Sequence, residues 1–127
     1  MPVTIVNTPN APAPIGPYSQ AVRAGDTLYV SGVIGLDPLS GQLVSGGVAA
    51  QAERVFESLA AIAAGAGASL ANAVKLTIYL TDLANFAVVN EQMARACCAP
   101  YPARATVGVK ELPRGAAVEV DAVLYLG

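Results

Sequence analysis

The chain changes hydrophobic period several times, and only two of its stretches carry a helical period. Val48, Ala52, Val55, Leu59 and Ile62 recur at helical spacing, so residues 48–64 read as a helix with one apolar stripe. Glu53, Arg54, Glu57 and Ser58 fall mainly outside that stripe, and Gly65 and Gly67 supply the stop. Over residues 72–81 the period drops to two. Val74, Leu76, Ile78 and Leu80 face one way and Lys75, Thr77, Tyr79 and Thr81 the other, as in a half-buried strand. A second helix starts from a cap at Asp82 or Asn85 and runs to about Cys98, with Phe86, Val89, Met93 and Cys97 as its stripe. Pro100 and Pro102 break it. Strand patterns fill most of the remainder: residues 3–6, residues 19–23 and 27–31 around the turn Ala24-Gly25-Asp26, residues 104–110 and residues 117–126.

The predicted order is β, β, β, α, β, α, β, β, an α+β chain. Two helices cover only one face of such a sheet. The other face must meet water or a partner. Lys75, Tyr79, Arg104, Thr106, Glu119, Asp121, Val123 and Tyr125 are expected there, and the last two argue that part of it is covered. A closed homo-oligomer with its sheets inward is the economical solution.

At 127 residues, without an internal repeat or an interdomain linker, residues 1–127 form a single domain. The sequence is 54% hydrophobic and 13% charged, which excludes disorder. A net charge of −2 makes nucleic acid an unlikely partner, since electrostatic binding to it needs a basic stripe. Histidine is absent, which removes the commonest general base and metal ligand together. Cys97 and Cys98 are adjacent and have no distant partner, so neither a disulfide framework nor a zinc site is expected, and a reducing cytoplasm is the expected location. The uncharged stretch of residues 58–74 is too short and too interrupted by Gly65, Gly67, Ser69 and Asn72 to cross a membrane.

Five prolines, Pro2, Pro9, Pro12, Pro14 and Pro17, fall in the first 17 residues, so much of this segment is a stiff, extended loop with little ordering entropy left to lose. Tyr18 follows it, as a core-packed aromatic or a pocket wall. Ser31-Gly32 ends a strand and permits close backbone approach to a ligand. Arg104, two residues past Pro102, is either a surface arginine at a strand end or a planar fork for a substrate carboxylate. Glu119 and Asp121 alternate with Val118, Val120, Ala122 and Leu124, which puts both carboxylates on the face opposite the apolar set. Glu119 is either a solvated strand residue or a carboxylate that positions water. If Arg104 lies beside it, Glu119 is expected to stay ionised at neutral pH.

Taken in order, several motifs resemble the RidA (YjgF) family over about residues 4–126. They are Ile15-Gly16-Pro17-Tyr18-Ser19-Gln20, Ser31-Gly32, Asp82-Leu83 through Phe86 to Val89-Asn90, Tyr101-Pro102-Ala103-Arg104-Ala105-Thr106-Val107 and Val118-Glu119-Val120-Asp121-Ala122. The resemblance implies a chorismate-mutase-like α+β fold and a homotrimer with clefts between subunits. It further implies hydrolysis of reactive 2-imino and 2-enamino acids to 2-keto acids and ammonia, with no metal or organic cofactor. By motif, Arg104 would bind the substrate carboxylate and Glu119 would position water. Tyr18, Ser31 and Gly32 would line the cleft, with Asn90, Tyr101 and Thr106 nearby. Position 106 is often cysteine in the family, so Thr106 excludes any mechanism that needs a thiol there. Two other readings stand beside this one. The first is a non-catalytic module sensing small carboxylates such as keto acids. The second, which the acidic balance and absent histidine weaken, is an endoribonuclease.

Overall fold

The computed structural model describes residues 3–127; Met1 and Pro2, the latter counted among the prolines of the leading loop, lie outside the described residues. The strands are β1 (Val3–Val6), β2 (Ala21–Ala24), β3 (Thr27–Ile34), β4 (Ala73–Leu80), β5 (Ala103–Gly108) and β6 (Val118–Tyr125), and the helices are α1 (Gly47–Gly65) and α2 (Phe86–Ala96). They form one mixed sheet of order β1-β2-β3-β6-β4-β5. β4 and β5 are parallel, with α2 as their crossover, and every other neighbouring pair is antiparallel. β6 therefore slots between β3 and β4, the two strands that α1 connects.

Both helices cover the same face. Val55, Leu59 and Ile62 of α1 and Val89 and Met93 of α2 share one core with Leu28, Leu76, Ile78, Leu80, Val118, Val120 and Leu124. Ser58 belongs inside this packing and not outside the stripe: it is 1% exposed, because α1 is buried against both the sheet and α2. Phe86 departs the other way and is 42% exposed at the first turn of α2. Asp82 supplies the cap, its Oδ1 accepting from Ala84 N at 2.9 Å in a short 3₁₀ turn ahead of α2, while Asn85 makes no side-chain cap. Val74 leaves the alternation predicted for its strand. The β4–β6 register slips between Ala73 and Lys75, and this bulge leaves Val74 48% exposed.

The uncovered face carries Val3 and Ile5 of β1, Tyr29 of β3, Val107 of β5, and Val123 and Tyr125 of β6. Four of these are more than half exposed: Val3, Ile5, Tyr29 and Tyr125. The same face also carries Lys75, Thr77, Tyr79, Glu119 and Asp121, yet its exposed apolar residues are more than scattered surface residues explain.

Candidate active site

Glu119 owes its setting to a bulge. The β3–β6 register slips between Val30 and Val33, so Ser31-Gly32 holds one extra residue beside Glu119. A Cβ on Gly32 would lie 2.6 Å from Glu119 Oε2 and 2.9 Å from its Cδ, so the carboxyl occupies the space a side chain would take. Ser31 is tied down by its hydroxyl, which donates to the Ser19 carbonyl at 2.6 Å, and by its amide, which donates to the Gln20 carbonyl at 3.0 Å.

A cleft of about 360 Å³ opens here, lined by Tyr18, Ser31, Gly32 and Glu119 together with Pro12, Ala13 and Ile15 of the proline segment. Gln20, buried at the base of that segment, holds it in place. Its Oε1 accepts from Thr8 N at 2.7 Å, and its Nε2 donates to the carbonyls of Thr8 at 3.0 Å, Pro12 at 2.9 Å and Ala11 at 3.3 Å. Four prolines, Pro9, Pro12, Pro14 and Pro17, stiffen the loop, and one amide side chain fixes where it sits. Gln20 appeared in the sequence only as the end of a motif; nothing in its spacing signals that its polar atoms are bonded to the preceding loop.

Burial first, and the neighbouring Asp121 charge second, push the Glu119 carboxyl above its ordinary value. Asp121 itself accepts a hydrogen bond from the Tyr79 hydroxyl at 2.9 Å, which raises the Tyr79 phenol. Within a single chain no arginine lies beside Glu119, and the neighbouring charge that acts on it is the acidic Asp121.

Arg104 lies elsewhere. β5 runs parallel to β4 with Arg104 opposite Leu76 and Thr106 opposite Ile78, so both point to the helix-covered side rather than the open face predicted for them. The guanidinium donates to Asn90 Oδ1, approaches Met93 Sδ at 3.7 Å and sits 5.1 Å from the centroid of the Phe86 ring. The exposure of Phe86 now has a reason: it is the platform under Arg104. Arg104, Asn90, Met93 and Tyr101 line a second cleft of about 510 Å³. Thr106 lines neither cleft, and its buried hydroxyl has no hydrogen-bond partner.

The predicted site residues therefore fall into two groups: Tyr18, Ser31, Gly32 and Glu119 in one cleft, and Asn90, Tyr101 and Arg104 in the other, with no residue shared. Within a single chain Arg104 and Glu119 do not converge. Cys97 packs in the core and Cys98 is exposed; both are free. Among the described residues no group of three or more His, Cys, Asp or Glu is arranged to hold a metal ion, and no helix is long and apolar enough to cross a membrane.

A single mixed sheet with two helices on one face carries two clefts of a few hundred cubic ångströms, the size of small-molecule sites. The family model described as Endoribonuclease L-PSP matches residues 8–126. The chain belongs to that family, the RidA (YjgF) family. It is 45% identical over 123 residues to the human 2-iminobutanoate/2-iminopropanoate deaminase, covering 97% of this chain and 90% of that protein. The crystal structure of RidA from the Antarctic bacterium Psychrobacter sp. PAMC 21119 matches with a TM-score of 0.93 at 48% identity, covering 96% of this chain and 98% of that one. E. coli TdcF with bound serine matches with a TM-score of 0.90 at 33% identity, covering 98% and 99%.

Proposed function

We propose that the chain hydrolyses 2-imino acids and their 2-enamino tautomers to 2-keto acids and ammonia, in clefts that form where two copies meet. The observation that carries this reading is the setting of Glu119: a carboxyl in a cleft, packed against the bulge at Gly32, with no side-chain or backbone donor bonded to it among the described residues. Deaminases of this kind stand among the relatives, and a relative binds an amino acid.

The chemistry needs few parts. A 2-imino acid protonated at nitrogen is already a strong electrophile. The Arg104 fork, backed by Phe86 and Asn90, binds its carboxylate. Glu119 takes a proton from water as the oxygen bonds to the imine carbon, giving a neutral carbinolamine. Glu119 then returns that proton to the nitrogen, and the C–N bond breaks as the oxygen's lone pair forms the carbonyl. The hydroxyl proton leaves with the departing ammonia, so imine cation and water become keto acid and ammonium. A raised carboxyl suits an acid and base that must both take and return a proton. Holding water and imine together supplies part of the barrier reduction. No thiol is used, in keeping with Thr106.

Because the two clefts are separate in one chain, the reading requires a second copy to bring its Arg104 to the first copy's Glu119. The apolar open face offers the surface for that assembly, and a trimer is the closed form we propose. Ammonia release from an imine made in situ by an amino-acid oxidase is the test. Arg104→Ala and Glu119→Gln are each expected to remove the acceleration over spontaneous hydrolysis; unchanged rates in both reject these roles.

The second reading, a carboxylate-sensing module, is favoured by the Arg104 cleft, whose lining contains no acidic residue. Ligand binding that survives Glu119→Gln, with no turnover by the unmodified protein, would establish it. RNA cleavage, named in the family description, has little support in a chain with no histidine and a net charge of −2.

A further inference from the structure

The cleft beside Glu119 holds more than the reacting carbon needs. Past Tyr18, Ser31 and Gly32 its wall is made by Ile15 and Pro12 of the proline segment, Ile34 and Leu36 after the bulge, Ile62 of α1, and Pro113. Its polar neighbours are already engaged. Both hydrogens of the Gln20 amide are spent on three loop carbonyls, and the Ser31 hydroxyl donates to Ser19 at 2.6 Å. Glu119 is the one charged residue in the lining.

We infer that this apolar wall receives the substrate's side chain, and that the chain is selective for 2-imino acids with uncharged branched, thioether or aromatic side chains over small or acidic ones. The inference rests on the proposed hydrolysis at Glu119. An acidic side chain entering here meets a carboxylate of its own sign, and of the side chains lining this wall only the Tyr18 hydroxyl has a hydrogen left to donate in place of its lost water. A methyl group covers little of the apolar wall this chain supplies, whereas isobutyl, thioether and benzyl groups remove it from water. Each added methylene in such a pocket discriminates by about tenfold or more. The wall is also preformed. Prolines and the Gln20 amide set its shape before a ligand arrives, so binding need not order it.

The experiment compares acceleration over spontaneous hydrolysis for imines generated in situ by oxidases from leucine, methionine, phenylalanine, alanine and aspartate. The expected result is kcat/KM about tenfold or more higher for the first three than for the alanine imine, with the aspartate imine lowest. Ile15→Asn adds an internal control, because Ile15 is exposed at 64% and its loss leaves the core intact. It is expected to lower kcat/KM for the leucine and phenylalanine imines severalfold more than for the alanine imine. Equal rates for all five imines, or equal effects of Ile15→Asn on all, overturn the selectivity while leaving the hydrolysis standing. No acceleration for any imine overturns the hydrolysis itself.

Discussion

Gly32 is the residue at which backbone and chemistry meet most closely. Its hydrogen faces the Glu119 carboxyl where a methyl group would stand 2.6 Å from Oε2. Gly32→Ala is expected to displace that carboxyl and lower kcat by about a hundredfold. Melting temperature should move little, since Gly32 is exposed and a carboxyl at a cleft wall has room to swing. Steady-state kinetics and a thermal melt on the same sample check both halves. Glu119 itself separates activity from stability. Its folded pKa is raised, so its contribution to stability is fully present below the unfolded pKa and is lost as pH rises through the folded one. At neutral pH the ionised carboxyl sits where burial disfavours it. Glu119→Gln is therefore expected to leave thermal stability at pH 7 unchanged or higher while turnover falls about 10²–10⁴-fold. Asp121→Asn removes the like charge that adds to the raise, and the acidic limb of the kcat/KM–pH profile should move to lower pH.

At the scale of elements, one amide anchors the loop and one ring supports the arginine. Gln20→Leu strips hydrogen bonds from Thr8, Ala11 and Pro12 and is expected to cost about 1–3 kcal/mol in chemical denaturation, with the cleft wall loosened. Phe86→Leu keeps α2 but removes the ring under Arg104; KM should rise severalfold with kcat nearly unchanged. The element order was legible in the sequence because each change of hydrophobic period marks a real change of structure. Side assignment was less so. Period two tells which residues of one strand share a face, but it does not relate that face to the next strand's. Period two alone allows Arg104 and Thr106 on the face of Glu119, whereas the β4–β5 register aligns them with Leu76 and Ile78. The bulges at Val74 and at Ser31-Gly32 are equally invisible, since an extra residue leaves the composition of a strand unchanged. Phe86 matched the helical stripe of α2 in spacing, yet its ring serves the arginine and not the core.

At the scale of the molecule, the central feature is a sheet covered on one side and partly apolar on the other. Tyr29 and Tyr125, each 54% exposed, are the aromatic part of the open face. Tyr29→Arg is expected to leave far-ultraviolet circular dichroism intact while reducing the assembled mass, measured by light scattering, from a multiple of 12.8 kDa toward one chain. Motif order singles out candidate residues, whereas their division between two separate clefts needed coordinates, because spacing along a chain does not encode which cleft a side chain enters. Complementation measures that division directly. Arg104→Ala and Glu119→Gln chains, each inactive alone, are unfolded together in equal amounts, refolded and assayed for imine hydrolysis. If each cleft joins Arg104 of one copy to Glu119 of another, about a quarter of the clefts in the mixed assembly recover both groups, and activity returns to about that fraction. A mixed assembly of correct mass that stays as inactive as its parents would contradict a cleft shared between copies.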